Sequence, residues 1–297
     1  MNVSRSRGCS VLLNMRPGPA GAGAALLSGL LVMAGLTLAV SAPVSAQTSD
    51  LVDRTHLRVC ADPANMPFSS KEETGYENKL ADLLGEKLGL PVTYTWFPQA
   101  TGFVRRTLRL RKCDVIMGYA QGHELVQNTN HYYRSAYVLL HREDSDLKGI
   151  SNLDDPRLAD KKLGVIAGTP PATVMAMNGL LKNARPFHLM VDRRVSSPAE
   201  DIVSEIAAGT LDGGLLWGPM GGYYAKQSKV PITVVPLVGE TKGPRMVYRI
   251  TMGLRPQEPD WKHQLNDFIK VNQPEINRVL LDFGVPLLDE KDQLITK

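Results

Sequence analysis

Beyond residue 46 this sequence has almost no excess charge, only two cysteines, no long apolar run and no catalytic motif. Each shortage removes a class of function. The chain carries 34 basic and 30 acidic side chains, but Arg5, Arg7 and Arg16 fall in the first 46 residues, which hold no acid. Without those three, 31 basic residues face 30 acidic ones, a net +1, which leaves no basic surface for nucleic acid. Histidines 56, 123, 131, 141, 188 and 263 are scattered, and His123-Glu124 is not followed by the second histidine of a zinc-protease helix. Gly218-Pro219-Met220-Gly221-Gly222 lacks the lysine and hydroxyl residue of a phosphate loop. Asp144 with Asp146, and Asp154 with Asp155, do not extend into a calcium loop. These gaps predict a chain that is not an enzyme and binds no metal.

What the first 46 residues do contain is a positive start, an apolar core from Ala24 to Val40 and a small-residue site, Val44-Ser45-Ala46. That pattern predicts a secretory signal peptide cleaved near Ala46. The rival is an uncleaved anchor, because the 17 residues of the core can almost span a bilayer. Cys9 precedes the apolar core, so nothing points to a lipid-modified mature end. No further spanning segment follows in the remaining 251 residues, which predicts an exported protein not embedded in a membrane. Cys60 and Cys113 are the pair left after cleavage. In an exported chain they are a disulfide candidate, worth about 3–5 kcal/mol through loop entropy; the alternative is two thiols buried in neighbouring strands.

The chain then alternates strands and helices. Leu57–Ala61 reads as a strand followed by a loop stiffened by Pro63 and Pro67. Leu80, Leu83, Leu84 and Leu88 recur at helical spacing up to Gly89, and Val92–Trp96 is β-rich. Phe103 to Leu110 suggests a short helix, and Cys113–Met117 a buried parallel strand with a loop from Gly118 to Glu124 at its end. Ala136–Leu140 is where the chain crosses to a second lobe. There, Leu163–Ile166 runs into a helix start near Gly168-Thr169, whose free N–H groups would favour an anionic or polar ligand. Ser197-Pro198-Ala199-Glu200 is a capping box, Asp212–Trp217 a strand with a loop after it, and Ile232–Leu237 an edge strand. Val247–Leu254 returns as a long strand before two closing helices, with Pro274 near the start of the second.

These elements predict an α/β fold: a two-lobed clamshell of two parallel or mixed sheets joined by hinge strands. Residues 47–142 and 249–297 would form the first lobe and 143–248 the second. Cys-Asp-Val-Ile-Met-Gly from Cys113, Val-Ile-Ala-Gly-Thr from Val165 and Leu-Asp-Gly-Gly-Leu-Leu-Trp-Gly-Pro from Leu211 resemble the type II periplasmic solute-binding proteins, family 3, of ABC importers. The resemblance covers roughly residues 54 to 285 and implies a ligand pocket between the lobes. Amino-acid binders of that family carry an arginine in the loop after the central strand, a place that falls at about Leu125 here. Their ammonium-pairing aspartate falls at Trp217. Without both anchors, burying an amino acid's charges costs several kcal/mol, roughly.

A narrower resemblance fits the whole mature chain. Val59–Phe68, Gly75–Lys79, Tyr94–Gln99, Gly102–Arg105, Tyr132–Ser135 and Leu216–Pro219 are similar to the quinoprotein-dehydrogenase-associated binding proteins of the MxaJ/XoxJ type. That resemblance implies a periplasmic accessory role in methanol oxidation. The partner would be a quinoprotein methanol dehydrogenase and, with it, its cytochrome c. No cofactor would be held firmly, beyond a transient contact with pyrroloquinoline quinone (PQQ). The alternative is importer service for a small polar solute that is not an amino acid. Strand ends supply Asn65, Phe68, Trp96, Tyr119, Gln121, His123, Glu124, Thr169 and Trp217 as candidate cleft residues. Their aromatic members suit a flat apolar ligand or a protein segment, or else simply fill the space between lobes.

Overall fold

The computed structural model describes residues 50–296. The expected signal peptide and its cleavage site lie outside them. Among the described residues no helix is long and apolar enough to cross a membrane.

The first lobe opens with β1 (Leu57–Ala61), and the proline-bearing loop behind it folds into a small antiparallel ribbon, β2 (Ala64–Asn65) and β3 (Ser69–Ser70). Helix α1 (Tyr76–Leu88) follows, its start fixed by Asn78, whose Oδ1 accepts from Gly75 N at 3.1 Å. Gly89 ends it in the left-handed region (φ 66°), where a side chain would be strained. Tyr76, Leu80 and Leu84 form its buried stripe. Strand β4 (Val92–Trp96) then pairs in parallel with β1, and α2 (Phe103–Arg106) is a single turn.

Strand β5 runs from Ile116 to Ala120, three residues later than the sequence pattern predicts. It is antiparallel, hydrogen-bonded to β11 (Val247–Leu254), and its parallel contact with β1 reduces to one bridge, Val59 with Val115. Cys113 to Val115 is buried for other reasons. Asp114, 1% exposed, takes charge-assisted hydrogen bonds from Arg58 and Arg255, and its carbonyl accepts from Trp261 Nε1 at 3.1 Å. A run buried on both faces gives no periodicity to separate parallel from antiparallel pairing.

Strand β6 (Gln127–Arg142) is 16 residues long and links the lobes. Its residues up to Ala136 pair with β11; from Tyr137 onward it pairs with β9 (Gly213–Trp217) on one side, and from Val138 with β10 (Ile232–Pro236) on the other. The boundary drawn at residue 142 therefore marks the end of the crossing strand, and its partners change near 137. The strand's first half was hidden in the sequence by polar side chains. Asn128, for example, donates to Thr251 Oγ1 across the pair at 2.8 Å.

The second lobe contains β7 (Leu163–Ile166), α3 (Pro170–Met177), β8 (Arg185–Phe187), α4 (Pro198–Ala207), β9 (Gly213–Trp217), α5 (Gly218–Gln227) and the edge strand β10 (Ile232–Pro236). Ser197 caps α4 by accepting from Glu200 N at 3.4 Å. No loop follows β9: α5 starts at Gly218 directly, with Pro219 in its first turn. Apolar side chains pack on both faces of this sheet, Leu139 and Val165 on one, Val138 and Ile202 on the other.

The return strand β11 (Val247–Leu254) lies between β5 and β6, giving the order β5-β11-β6-β9-β7-β8. Helix α6 (Pro259–Asp282) closes the first lobe as one stretch broken at Asn272, two residues before Pro274. The two expected helices are thus joined at a kink, as a proline in a helix requires. Cys60 and Cys113 are joined by a disulfide, with Cα atoms 5.5 Å apart.

Candidate functional site

A cleft of about 300 Å³ lies where the lobes meet. The first lobe contributes Asn65, Phe68, Glu77, Tyr119 and Tyr133; the second contributes Ile166, Thr169, His188, Arg193 and Trp217. The side chains sit at strand ends because β5, β7 and β9 all finish here.

The rings are placed by the crossing strands. Register sets Tyr137 of β6 opposite Trp217 of β9, and their rings meet edge to face, with centroids 5.3 Å apart. Tyr248 of β11 closes the cluster, edge-on to Trp217 at 5.7 Å. Trp217 therefore both walls the cleft and packs at the crossing between lobes. On the first-lobe side, Phe68 packs on Tyr76 at 5.4 Å, and the Tyr76 hydroxyl is hydrogen-bonded to that of Tyr133 at 2.9 Å. Burial pushes the Tyr137 phenol up to about 12 and raises that of Tyr133 further, so both stay neutral.

Two carboxylates lie near each other but in unlike environments. Asp62, 4% exposed, accepts from Ala64 N at 2.9 Å, from Gln99 N at 2.7 Å and from Arg193 Nη1 at 3.0 Å. The Arg193 pair spans the two lobes. Glu77, in the first turn of α1, is 8% exposed and lines the cleft. Its carboxyl has no hydrogen bond or ion pair among the described residues. Burial, and secondarily the charge of Asp62, pushes it up to about 8. It also depends on Gly118: a Cβ at that position would overlap Glu77 Oε1, so only glycine leaves the carboxyl its place.

Of the residues expected from sequence, Asn65, Phe68, Tyr119, Thr169 and Trp217 line this cleft, whereas Trp96, Gln121, His123 and Glu124 do not. Trp96 stacks on Tyr94 with ring centroids 4.6 Å apart. Gln121, His123 and Glu124 are exposed on the turn after β5, where the His123 ring lies edge-on to Tyr119 at 4.8 Å. The strand's extension to Ala120 carries that turn past the cleft lining. The start of α3 also differs from expectation. Pro170 and Pro171 occupy its first turn and supply no N–H, and Thr169 Oγ1 turns back to donate to Ile166 O at 2.6 Å. Few donors are left there for an anion. The residues that sequence reasoning passed over are Glu77, Tyr133, Tyr137 and Arg193. An acid in a helix's first turn and an arginine between charged neighbours carry no signal of their own.

A continuous strand crossing between two lobes, a return strand beside it and a cleft at the strand ends define a type II periplasmic binding protein. No family model matches the chain. It is similar to the crystal structure of periplasmic binding protein XoxJ from Methylobacterium extorquens AM1, at 40% identity and a TM-score of 0.68, over 79% of this chain and all of that one. The crystal structure of MxaJ from Methlophaga aminisulfidivorans MPT matches at 27% identity and a TM-score of 0.67, over 78% of this chain and all of that one. Protein MoxJ of Methylorubrum extorquens is 29% identical over 93% of this chain and 98% of its own length. The chain belongs to the XoxJ-type family of periplasmic binding proteins.

Proposed function

We propose that this protein is a periplasmic accessory factor for a PQQ-dependent methanol or alcohol dehydrogenase, aiding its assembly or activation by gripping a segment of it in the aromatic cleft. The kinship to XoxJ and MxaJ supports the methanol-oxidation setting. The observation that carries the choice of ligand is Arg193, the guanidinium in the cleft lining, which is already engaged by Asp62 at 3.0 Å. A free amino acid would bring a carboxylate with no clamp, at a cost of several kcal/mol, roughly. A transient contact with PQQ is the weaker reading for the same reason, since its carboxylates would meet Glu77 and not a free cation. Rings and a modest volume suit an inserted side chain.

The test is the native mass, by size-exclusion chromatography with light scattering, of the mature protein mixed with purified methanol dehydrogenase from the same organism. A complex that strengthens with concentration is expected. No complex at tens of micromolar, together with a rise in Tm on adding a small polar solute, would move the assignment to importer service. Trp217→Ala adds a second arm: it should reduce dehydrogenase activation more than it lowers Tm. A large Tm loss with activation intact would make Trp217 structural only.

A further inference from the structure

Glu77 is the buried titratable group that the proposed function leaves unused. It is more than nine-tenths buried, faces the cleft, and has no hydrogen-bond or ion-pair partner among the described residues. Its carboxyl opens only to the cleft, so whatever enters the cleft is what can pair with it. The chain keeps a glycine at 118 for it, since any larger residue would occupy its space. The surrounding wall is aromatic, with Phe68, Tyr133 and Trp217 in the lining, and π faces attract cations. The cleft's own cation is spent on Asp62, so Glu77 cannot be answered from within.

We propose that the cleft is a receptor for one alkylammonium group, which docks against the Glu77 carboxylate within the aromatic wall. This deepens the accessory reading and rests on it for the source of that group, a lysine side chain of the partner segment. The volume of about 300 Å³ sits at the low end for ligand sites, enough for one extended side chain or a small amine. Lysine suits it because its ammonium is a compact point charge on a slim apolar stem.

Docking is linked to protons. Without ligand, the Glu77 carboxyl is held up to about 8, so near neutrality it is mainly protonated. An arriving ammonium favours the ionised form, and the carboxyl proton passes to the buffer as the pair forms. The charged group acting on Glu77 is Asp62, itself fixed by Arg193; the buried phenols of Tyr76, Tyr94, Tyr132 and Tyr133 around it stay neutral, and His188 lies elsewhere in the lining. Affinity for a cation should therefore rise by about tenfold per pH unit below pH 8 and level off above it, until the amine itself loses its proton near about 10.4.

The test is calorimetric titration of the mature protein with Nα-acetyl-lysine methylamide and with its uncharged analogue, Nα-acetyl-norleucine methylamide, from pH 6 to pH 9. We expect the lysine probe to bind at least tenfold better at pH 8.5. Its heat should vary with the buffer's ionisation enthalpy near pH 7, and Glu77→Gln should abolish the preference. Equal binding of the two probes, or a preference untouched by Glu77→Gln or falling as pH rises, would overturn the proposal. These readouts do not involve the dehydrogenase, so the cation site stands or falls separately from the accessory role. Reductive methylation keeps a lysine's charge while adding bulk, and acetylation removes the charge. A dehydrogenase complex lost on lysine acetylation, with the probe result positive, assigns the group to a partner lysine. A complex that survives assigns it to a free small amine.

Discussion

The unpaired carboxyl at Glu77 should leave a mark on folding stability that can be read without any ligand. In the unfolded chain it has its ordinary value of 4.5; in the folded protein it is held up to about 8. Between those values the folded state keeps a proton that the unfolded chain releases, so raising the pH favours unfolding. The contribution is fully favourable below 4.5, declines as pH rises, and is wholly lost above about 8. At about 1.36 kcal/mol per unit, the stretch from pH 5 to pH 7 costs about 2–3 kcal/mol. Other groups titrate over the same range, so the observable is the difference between wild type and Glu77→Gln. The amide resembles the neutral carboxyl in size and cannot ionise. Urea unfolding at pH 5, 6, 7 and 8, at fixed ionic strength, should show the wild type losing its stability relative to the variant by that amount. Curves that stay parallel within about 0.5 kcal/mol, the usual scale of a neutral surface change, would refute a buried, unsatisfied Glu77.

Gly118→Ala should push the flexible end of Glu77 aside and destabilise by about 0.5–1 kcal/mol. Shortening the partner as well, in Glu77→Ala/Gly118→Ala, should recover part of that loss as a coupling energy of at least about 0.5 kcal/mol in a double-mutant cycle. Replacing Cys60 and Cys113 by serine opens a loop of 53 residues' separation and should cost about 4 kcal/mol in urea unfolding, with the same loss on reduction of the wild type. Asp114→Asn leaves Arg255, 8% exposed at its side chain, with a weakened partner, and breaks a network that ties α6 to the strand below. Because Glu258 still pairs with Arg255, it should cost about 1–3 kcal/mol, and a loss under about 0.5 kcal/mol would mean the network contributes little.

How much of this was legible in the sequence depends on the kind of interaction. Helix α1 was, since its leucine spacing and Gly89 are local signals. The α4 cap was also legible, because Ser197, Pro198 and Glu200 act within one turn. The hinge was visible only in its apolar half. The residues before Ala136 carry asparagines and Arg134: Asn128 bonds to Thr251 across the pair with β11, and Arg134 bonds to Asp289 and Asp292 near residue 290. The site divided in the same way. Phe68, Tyr119 and Trp217 lie at strand ends and could be found by rule. Glu77 becomes unusual only when Gly118, 41 residues on, and Asp62 surround it, and nothing in its own helix turn marks it. His123 and Glu124 are polar and follow the central strand closely in sequence, but β5 runs through Gly118 and carries them beyond the cleft.

Trp217 connects the site to the motion that a two-lobed fold permits. It belongs to β9, its ring rests on Tyr137 of β6, and it meets Tyr248 of β11. Those two strands are the ones that cross between lobes, so an occupant touching Trp217 touches the hinge. Across the same cleft, Arg193 from the second lobe holds Asp62 of the first at 3.0 Å. Arg193 is 39% exposed, so water competes for it and the pair is a weak latch, not a lock. A cleft whose arginine is held by Asp62, and whose second acid lies beside aromatic walls, has the charge and the rings that the proposed alkylammonium docking requires.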